Sequence, residues 1–376
     1  MCIKMKSKIT YFFINGRIER INSSESFPEE MFYGYNFMRK TELDVEIVES
    51  KKSFFREFIQ KNIEDKLSYK LQIPLFFSYY LTVKNILLFT KSKHVIMTNH
   101  RVGSSLLPLI FISKLLFNKP LITIFIMGLF KKKPKNNFLL TVKEFLIKYL
   151  FKNSENIYFL GLEEFNYAKN NYGVYLNKFK YYPFSVDLEF WSAENNEKKD
   201  QILFVGNDGN RDYEFLVKLV KDMPNQNFVI LSNQLENDIL NLPNCKLING
   251  SFAKQGLSDI ELKNLYNESI MTIIPLKNSI QPSGQSVALQ SMACGTPIVI
   301  TETLGFWDKK NFQNKKNIYF ASENKFNIWD EQIKNIKKLK RSEYDSLTKN
   351  SIELLKIEYN LENFHNSLLK EILDKN

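Results

Sequence analysis

Short apolar runs alternate with longer mixed segments along most of the chain. Residues 9–14, 45–48, 95–98, 121–126 and 157–160 form a first set of runs. Residues 202–205, 228–231, 246–248, 271–274 and 298–300 form a second. Most runs are unbroken apolar rather than alternating, the pattern of strands buried on both faces of a parallel sheet. The segments between them predict crossover helices. Two such sets predict an α/β fold of two doubly wound, Rossmann-like domains. A polar stretch at residues 192–200 follows a strand-like run ending at Pro183 and reads as a linker. The expected domains are 1–190 and 191–356, with the charged helical tail 357–376 packing back on the first.

Composition narrows the class. The chain has 376 residues, 44 % of them apolar and 25 % charged, an ordinary globular balance. Its formal charge of +11 fits an anionic partner such as a nucleotide or a lipid surface. It fits compositional drift towards lysine equally well. Cys2, Cys245 and Cys294 have no metal-ligand spacing, which suits a reduced, cytoplasmic protein. With His94, His100 and His365 as the only histidines, no metal site is expected. The apolar run at 11–14 is too short for a signal-peptide core. Residues 71–89 come nearest to a span of about 18 apolar residues, but Gln72, Pro74, Lys84 and Asn85 interrupt them.

The densest chemical signal is Gln281-Pro-Ser-Gly-Gln-Ser-Val-Ala-Leu-Gln-Ser-Met-Ala-Cys-Gly-Thr-Pro-Ile-Val-Ile-Thr. Pro282-Ser283-Gly284 reads as a turn after a buried strand. A helix follows from about Gln285 to Ala293, Gly295 stops it, and the next strand begins at Ile298. A helix opening at the carboxyl end of a parallel strand presents free amides and a positive dipole end, an anion site. Ser283 is expected to cap it. Gly284 lets a phosphate approach the backbone.

From Ala288 to Val299 this string resembles the donor-binding motif of GT-B glycosyltransferases, in the retaining group 1 or GT4 family. There it usually reads Glu-Ala-Met-Ala-Cys-Gly-Thr-Pro-Val-Val. Gln290 stands where that family has a ribose-binding glutamate, and Pro282 where it has an upstream glutamate. The string from Asp200 to Tyr213 is similar to the family's diphosphate turn: Gly206 matches, Asn207 takes the place of an arginine, and Arg211 supplies charge. The string Lys180-Tyr-Tyr-Pro-Phe-Ser-Val-Asp resembles the family's hinge phrase.

The resemblance implies two Rossmann-like domains facing across a cleft, a nucleotide-diphosphate sugar as co-substrate and no further cofactor. It implies transfer of the sugar to a carbohydrate or lipid-linked acceptor in cell-surface polysaccharide, lipopolysaccharide or glycolipid synthesis. It places Gly206, Asn207, Arg211, Ser283, Gly284, Gln285, Ser286 and Gln290 at the donor, with Arg211 stabilising the leaving diphosphate. A glutamine at 290 keeps an acceptor oxygen, and a glutamate there is expected to be tolerated because shape is kept. An inactive sugar-nucleotide-binding scaffold and a sugar-nucleotide epimerase of the same architecture stay open beside the transferase.

Other candidates are single features. Gly16 and Arg17 follow the first strand and read as either a diphosphate contact or a surface turn. His100, beside Arg101, sits at the carboxyl end of a strand, where open sheets bind ligands; it reads as a contact to the acceptor or the transferring sugar, a base or a structural histidine, and Arg101 as a diphosphate or acceptor contact. Lys131, Lys132, Lys133 and Lys135 lie among apolar segments and suit an anionic membrane surface or a solvated loop. No nucleic-acid motif is present.

Overall fold

The computed structural model describes residues 8–194, 197–235, 239, 242–250 and 257–373. Cys2 and two residues of the expected linker, Asn195 and Asn196, lie outside them. By contacts the chain divides into two units. One comprises residues 1–23, 32–183 and 365–376; the other comprises 24–31 and 184–364. The division therefore falls at 183/184 rather than 190/191, and the short segment 24–31 groups with the second unit.

The first unit is built from β1 (Lys8–Phe13), α1 (Arg17–Asn22), α2 (Tyr35–Arg39), β2 (Asp44–Glu49), α3 (Phe54–Ile59), α4 (Asp65–Leu71), α5 (Val83–Lys91), β3 (His94–Met97), α6 (His100–Ser105), α7 (Leu107–Leu115), β4 (Leu121–Ile126), α8 (Asn137–Asn153), β5 (Asn156–Phe159), α9 (Leu162–Asn171) and β6 (Phe179–Tyr181). Its six strands run parallel in the order β2-β1-β3-β4-β5-β6. The second unit holds β7 (Lys199–Val205), α10 (Tyr213–Asp222), β8 (Asn227–Leu231), β9 (Cys245–Ile248), α11 (Asp259–Glu268), β10 (Ser269–Ile274), α12 (Gln285–Ala293), β11 (Ile298–Thr301), β12 (Tyr319–Ala321), α13 (Phe326–Lys337) and α14 (Arg341–Glu358). Its sheet is also parallel, in the order β12-β11-β10-β7-β8-β9. The last helix, α15 (Leu361–Leu373), follows. Both units are doubly wound α/β layers, as the apolar runs predict.

Local sequence explains most elements. In β1, Ile9, Tyr11, Phe12 and Phe13 are all fully buried, because a central parallel strand is covered on both faces. In α10, Phe215, Leu216, Leu219 and Val220 make one buried stripe, and the Asp212 side chain accepts from the Phe215 amide as the N-cap. A reciprocal Ser258–Glu261 capping box starts α11. From Val287 to Ala293 every residue of α12 is buried. Its small side chains let it lie in the layer, and Ser291 hydrogen-bonds Thr272 of β10 at 2.8 Å.

Two differences from expectation stand out. The polar start of β7, Lys199–Gln201, is strand rather than linker, because β10 pairs with it from Ser269 onward. β12 has only three residues and pairs with β11; it falls on the short apolar run 318–321, which is not among the expected strands. Residues 71–89 are broken by turns before α5. Among the described residues no helix is long and apolar enough to cross a membrane.

Candidate functional site

Each sheet has one place where consecutive connections leave in opposite directions, and ligands of open α/β sheets bind beyond the carboxyl ends of the strands there. In the second unit this point lies between β7 and β10. The loops that follow them carry Gly206, Arg211, Ser283 and Gly284.

Hydrogen bonds clasp these two loops together. The Lys277 amide donates to the Asn210 carbonyl at 2.8 Å, and the Asp212 amide donates to the Pro275 carbonyl at 3.0 Å. Asn324 donates to both Asp212 and the Leu276 carbonyl. The Asn210 carboxamide donates to the Ser283 hydroxyl. Ser283 is thus engaged with Asn210 and does not cap α12. The N-cap is Gly284, in the left-handed region at φ +77°, with no side-chain cap. A left-handed residue turns the chain into the helix one position later than a serine cap does, and glycine makes that conformation inexpensive.

Arg211 is buried, with 3 % of its surface exposed. A Cβ built on Gly206 would come 2.5 Å from its Nε, and one on Gly284 would come 3.5 Å from its Nη1. The two glycines therefore make room for one guanidinium at the mouth of α12. Nη2 reaches the Val205 carbonyl at 3.4 Å. Nη1 lies 2.9 Å from Asp208 Oδ2, an ion pair without the angle of a hydrogen bond. Nε and Nη1 have no hydrogen-bond partner among the described residues. A buried guanidinium whose Nε is unbonded and whose Nη1 meets only the Asp208 carboxylate, beside a helix N-terminus, has donors an anion can satisfy.

Asn207 has a different role. Its amide donates to the Gly250 carbonyl at 2.7 Å, and its oxygen accepts from Ser232 and the Asn233 amide. It ties the ends of β7, β8 and β9 together. Gln285 is buried and Ser286 half-buried on the first turn of α12.

Gln290 is buried and held at both ends. Its nitrogen donates to Glu30 Oε1 at 2.8 Å, and its oxygen accepts from the Tyr266 hydroxyl at 3.2 Å. The same Glu30 oxygen accepts from the Trp191 indole at 2.7 Å. Burial pushes the Glu30 carboxyl up to about 7, although the bonds from Gln290 and Trp191 pull it down. Asp187 of the hinge-like string holds the segment in place: its carboxylate accepts from the Glu29 amide at 3.0 Å and from the amides of Glu189 and Phe190. Glu30, Asn210, Trp191 and Tyr266 are the partners that sequence reasoning did not single out. Asn210 lies inside the quoted turn. Glu30 sits in an irregular segment, where no periodicity marks it.

In the first unit the corresponding point lies between β1 and β3. Gly16 is left-handed at φ +102° and starts α1. The α1 amides of Arg17 and Ile18 already meet the Glu49 carboxylate, which fills the anion position there. The Arg17 guanidinium turns back to the Asn15 carbonyl at 3.1 Å. Both Arg17 and Arg101 come within electrostatic range of the buried Tyr80 phenol. His100 follows the Asn99 cap of α6. It is buried, its ring bonds the Met127 backbone, and its Nδ1 has no partner among the described residues. Burial, with Arg101 and Lys143 nearby, pushes it down to about 3. A neutral imidazole of that kind donates or accepts a hydrogen bond; it does not gather protons near neutrality. Lys132, Lys133 and Lys135 are exposed and Lys131 half-buried.

Comparison with known proteins bears on the fold and on residues 185–353. Residues 185–353 match the family model described as glycosyl transferases group 1. No curated protein matches the chain by sequence. Among solved structures, sucrose-phosphate synthase from Thermosynechococcus elongatus superposes with a TM-score of 0.70 at 13 % identity, over 99 % of this chain and 100 % of that one. A glycosyltransferase from Rickettsia africae gives 0.65 at 12 % identity, covering 98 % and 99 %. HepE of Anabaena, in complex with UDP-glucose, gives 0.66 at 9 % identity, again covering 98 % and 99 %. At these identities the likeness is one of fold.

Proposed function

We propose that the protein moves a sugar from a nucleoside-diphosphate sugar to an acceptor hydroxyl, with retention, in the synthesis of a cell-surface polysaccharide, lipopolysaccharide or glycolipid; the match of residues 185–353 to the group 1 glycosyl transferase model and the likeness of fold support it. The observation that carries the reading is Arg211, whose buried Nε and Nη1 lack hydrogen-bond partners among the described residues, placed between Gly206 and Gly284 at the opening of α12. In this reading the diphosphate lies on the first amides of α12, against Gly284 and beside Gln285 and Ser286. Arg211 neutralises the charge that grows on the leaving group as the glycosidic bond breaks. Most of the rate then comes from positioning and from stabilising that diphosphate. Gln290 keeps its ribose role, with Glu30 and Tyr266 fixing the direction of its carboxamide. The acceptor is a carbohydrate or lipid-linked hydroxyl, met on the cytoplasmic side of an anionic membrane that the basic loop at 131–135 faces.

A specific observation favours a second reading, binding without transfer: both ends of the Gln290 carboxamide are engaged inside the protein. A thermal-shift screen of UDP-, GDP- and ADP-sugars is the first test, because a ligand of the native state raises Tm. The proposal expects one donor class to raise Tm and, with an acceptor, to release nucleoside diphosphate alongside a new glycosidic bond. A shift without release supports the second reading. No shift with any of the three sinks both.

A further inference from the structure

The first unit carries an apolar surface that its own core does not use. Residues 54–71 form one helical stretch, α3 and α4 joined by the π-turn Gln60–Glu64. Glu64 and Leu71 are its only buried residues. Phe54 is 92 % exposed, Phe55 70 %, Phe58 60 % and Tyr69 79 %. A helix that faces the core with so little of its apolar surface and shows phenylalanines to water is an interaction element.

Its charge says which kind. Lys51, Lys52, Arg56, Lys61, Lys66 and Lys70 lie on or just before the stretch, against Glu57, Asp65 and the buried Glu64. Glu64 is held by the Ser78 amide and hydroxyl, so it does not offset the outer charge. The basic loop lies beside the end of the stretch. Lys143 of α8 donates to the Gln72 carbonyl at the end of α4 and to the Lys132 carbonyl of the loop. α8 packs on α4 and α7 and opens with Phe138, 74 % exposed, while Phe117 beyond α7 is 94 % exposed. A second copy of the chain across a two-fold axis would set these lysines against themselves. A bilayer rich in anionic headgroups complements them, and its headgroup–acyl boundary accepts the aromatic rings.

We propose that the α3–α4 stretch, together with the loop at 131–135, docks the protein on an anionic lipid bilayer. The phenylalanines enter the boundary and the lysines meet the lipid phosphates. This extends the membrane part of the functional reading above and is independent of the transfer reaction.

The test is sedimentation of the full-length protein with vesicles of equimolar phosphatidylglycerol and phosphatidylcholine, and with vesicles of phosphatidylcholine alone. Wild type pellets with the first and stays in solution with the second, and added salt weakens the binding. The triple variant Phe54→Ser, Phe55→Ser, Phe58→Ser changes only exposed positions, so its Tm stays near wild type; its affinity for the anionic vesicles falls by about tenfold or more. Lys61→Glu with Lys66→Glu does the same. Neither variant alters a nucleotide-sugar thermal shift, so failure of docking and failure of the transferase reading are told apart. Equal pelleting with both vesicle types overturns the proposal, as does undiminished pelleting of the phenylalanine variant. A wild-type dimer by light scattering that the phenylalanine variant turns into a monomer also overturns it, in favour of self-association.

Discussion

Arg211 and Gln290 stand in the candidate site in opposite ways. Arg211 has a buried Nε without a hydrogen-bond partner among the described residues and an Nη1 that meets Asp208, so the diphosphate proposed above would gain charge-assisted bonds there. Arg211→Ala is expected to weaken donor binding at least about tenfold, roughly 1.4 kcal/mol, as titration calorimetry with the responsive nucleotide sugar would report. Unchanged affinity in the folded variant removes Arg211 from the site. Gly284→Val is a poorer probe, because its Cβ would lie 2.7 Å from Ile274 Cγ2 at φ +77°, and the variant is strained before any ligand binds. At Gln290 the structure reverses an expectation. A glutamate keeps the shape, but it would face Glu30, whose Oε1 is 2.8 Å from the Gln290 nitrogen. Two carboxyls at that distance cannot both ionise. Gln290→Glu is therefore expected to be destabilised and more so at alkaline pH, whereas a Tm equal to wild type at high pH would show that Glu30 is not its partner. Gln290 itself was legible in the string. Glu30 was not, since it is 260 positions away in sequence and nothing local marks it.

Elements were read from sequence best where burial is symmetrical. β4, Leu121–Ile126, and α12, Gln285–Ala293, have the boundaries that the pattern predicts, because a central strand is apolar along most of its length and α12 is bounded by a Ser-Gly turn and by Gly295. The three-residue β12 was missed because its apolar run, 318–321, is short and lies at the sheet edge. Close approach between elements was equally hidden. Gly103 on α6 would place a Cβ 2.2 Å from Ile124 Cδ1 of β4, which is how α6 settles onto the sheet behind His100. Gly103→Ala is expected to cost about 1–3 kcal/mol through overpacking, seen as a lower denaturation midpoint with an unchanged m-value. A midpoint as high as wild type would mean that Ile124 yields without cost.

Over the whole molecule, each unit hides a carboxyl that burial pushes up to about 7. Burial pushes Glu30 in the second unit and Glu164 in the first up to about 7, from an ordinary 4.5. Between those values the unfolded chain has released a proton that the folded chain keeps, so each group makes stability fall as pH rises from about 4.5 to about 7, with no further loss above. Tm is expected to drop across that window, and Glu164→Gln, which still accepts from the Gly128 amide through its oxygen, should flatten the drop. A Tm that climbs from about pH 5 to about pH 7 in wild type would show both carboxyls ionised in the fold. The sequence by itself determined two sets of buried parallel strands with crossover helices, β12 apart, and the loop that opens α12. Those depend on hydrophobic periodicity and on turn residues a few positions apart, and both are local. Only the tertiary structure decided that Arg211 packs between two glycines, that segment 24–31 brings a carboxyl to Gln290, and that α3–α4 lies with its phenylalanines in water. These depend on which distant residues share a surface, and no window of sequence contains that.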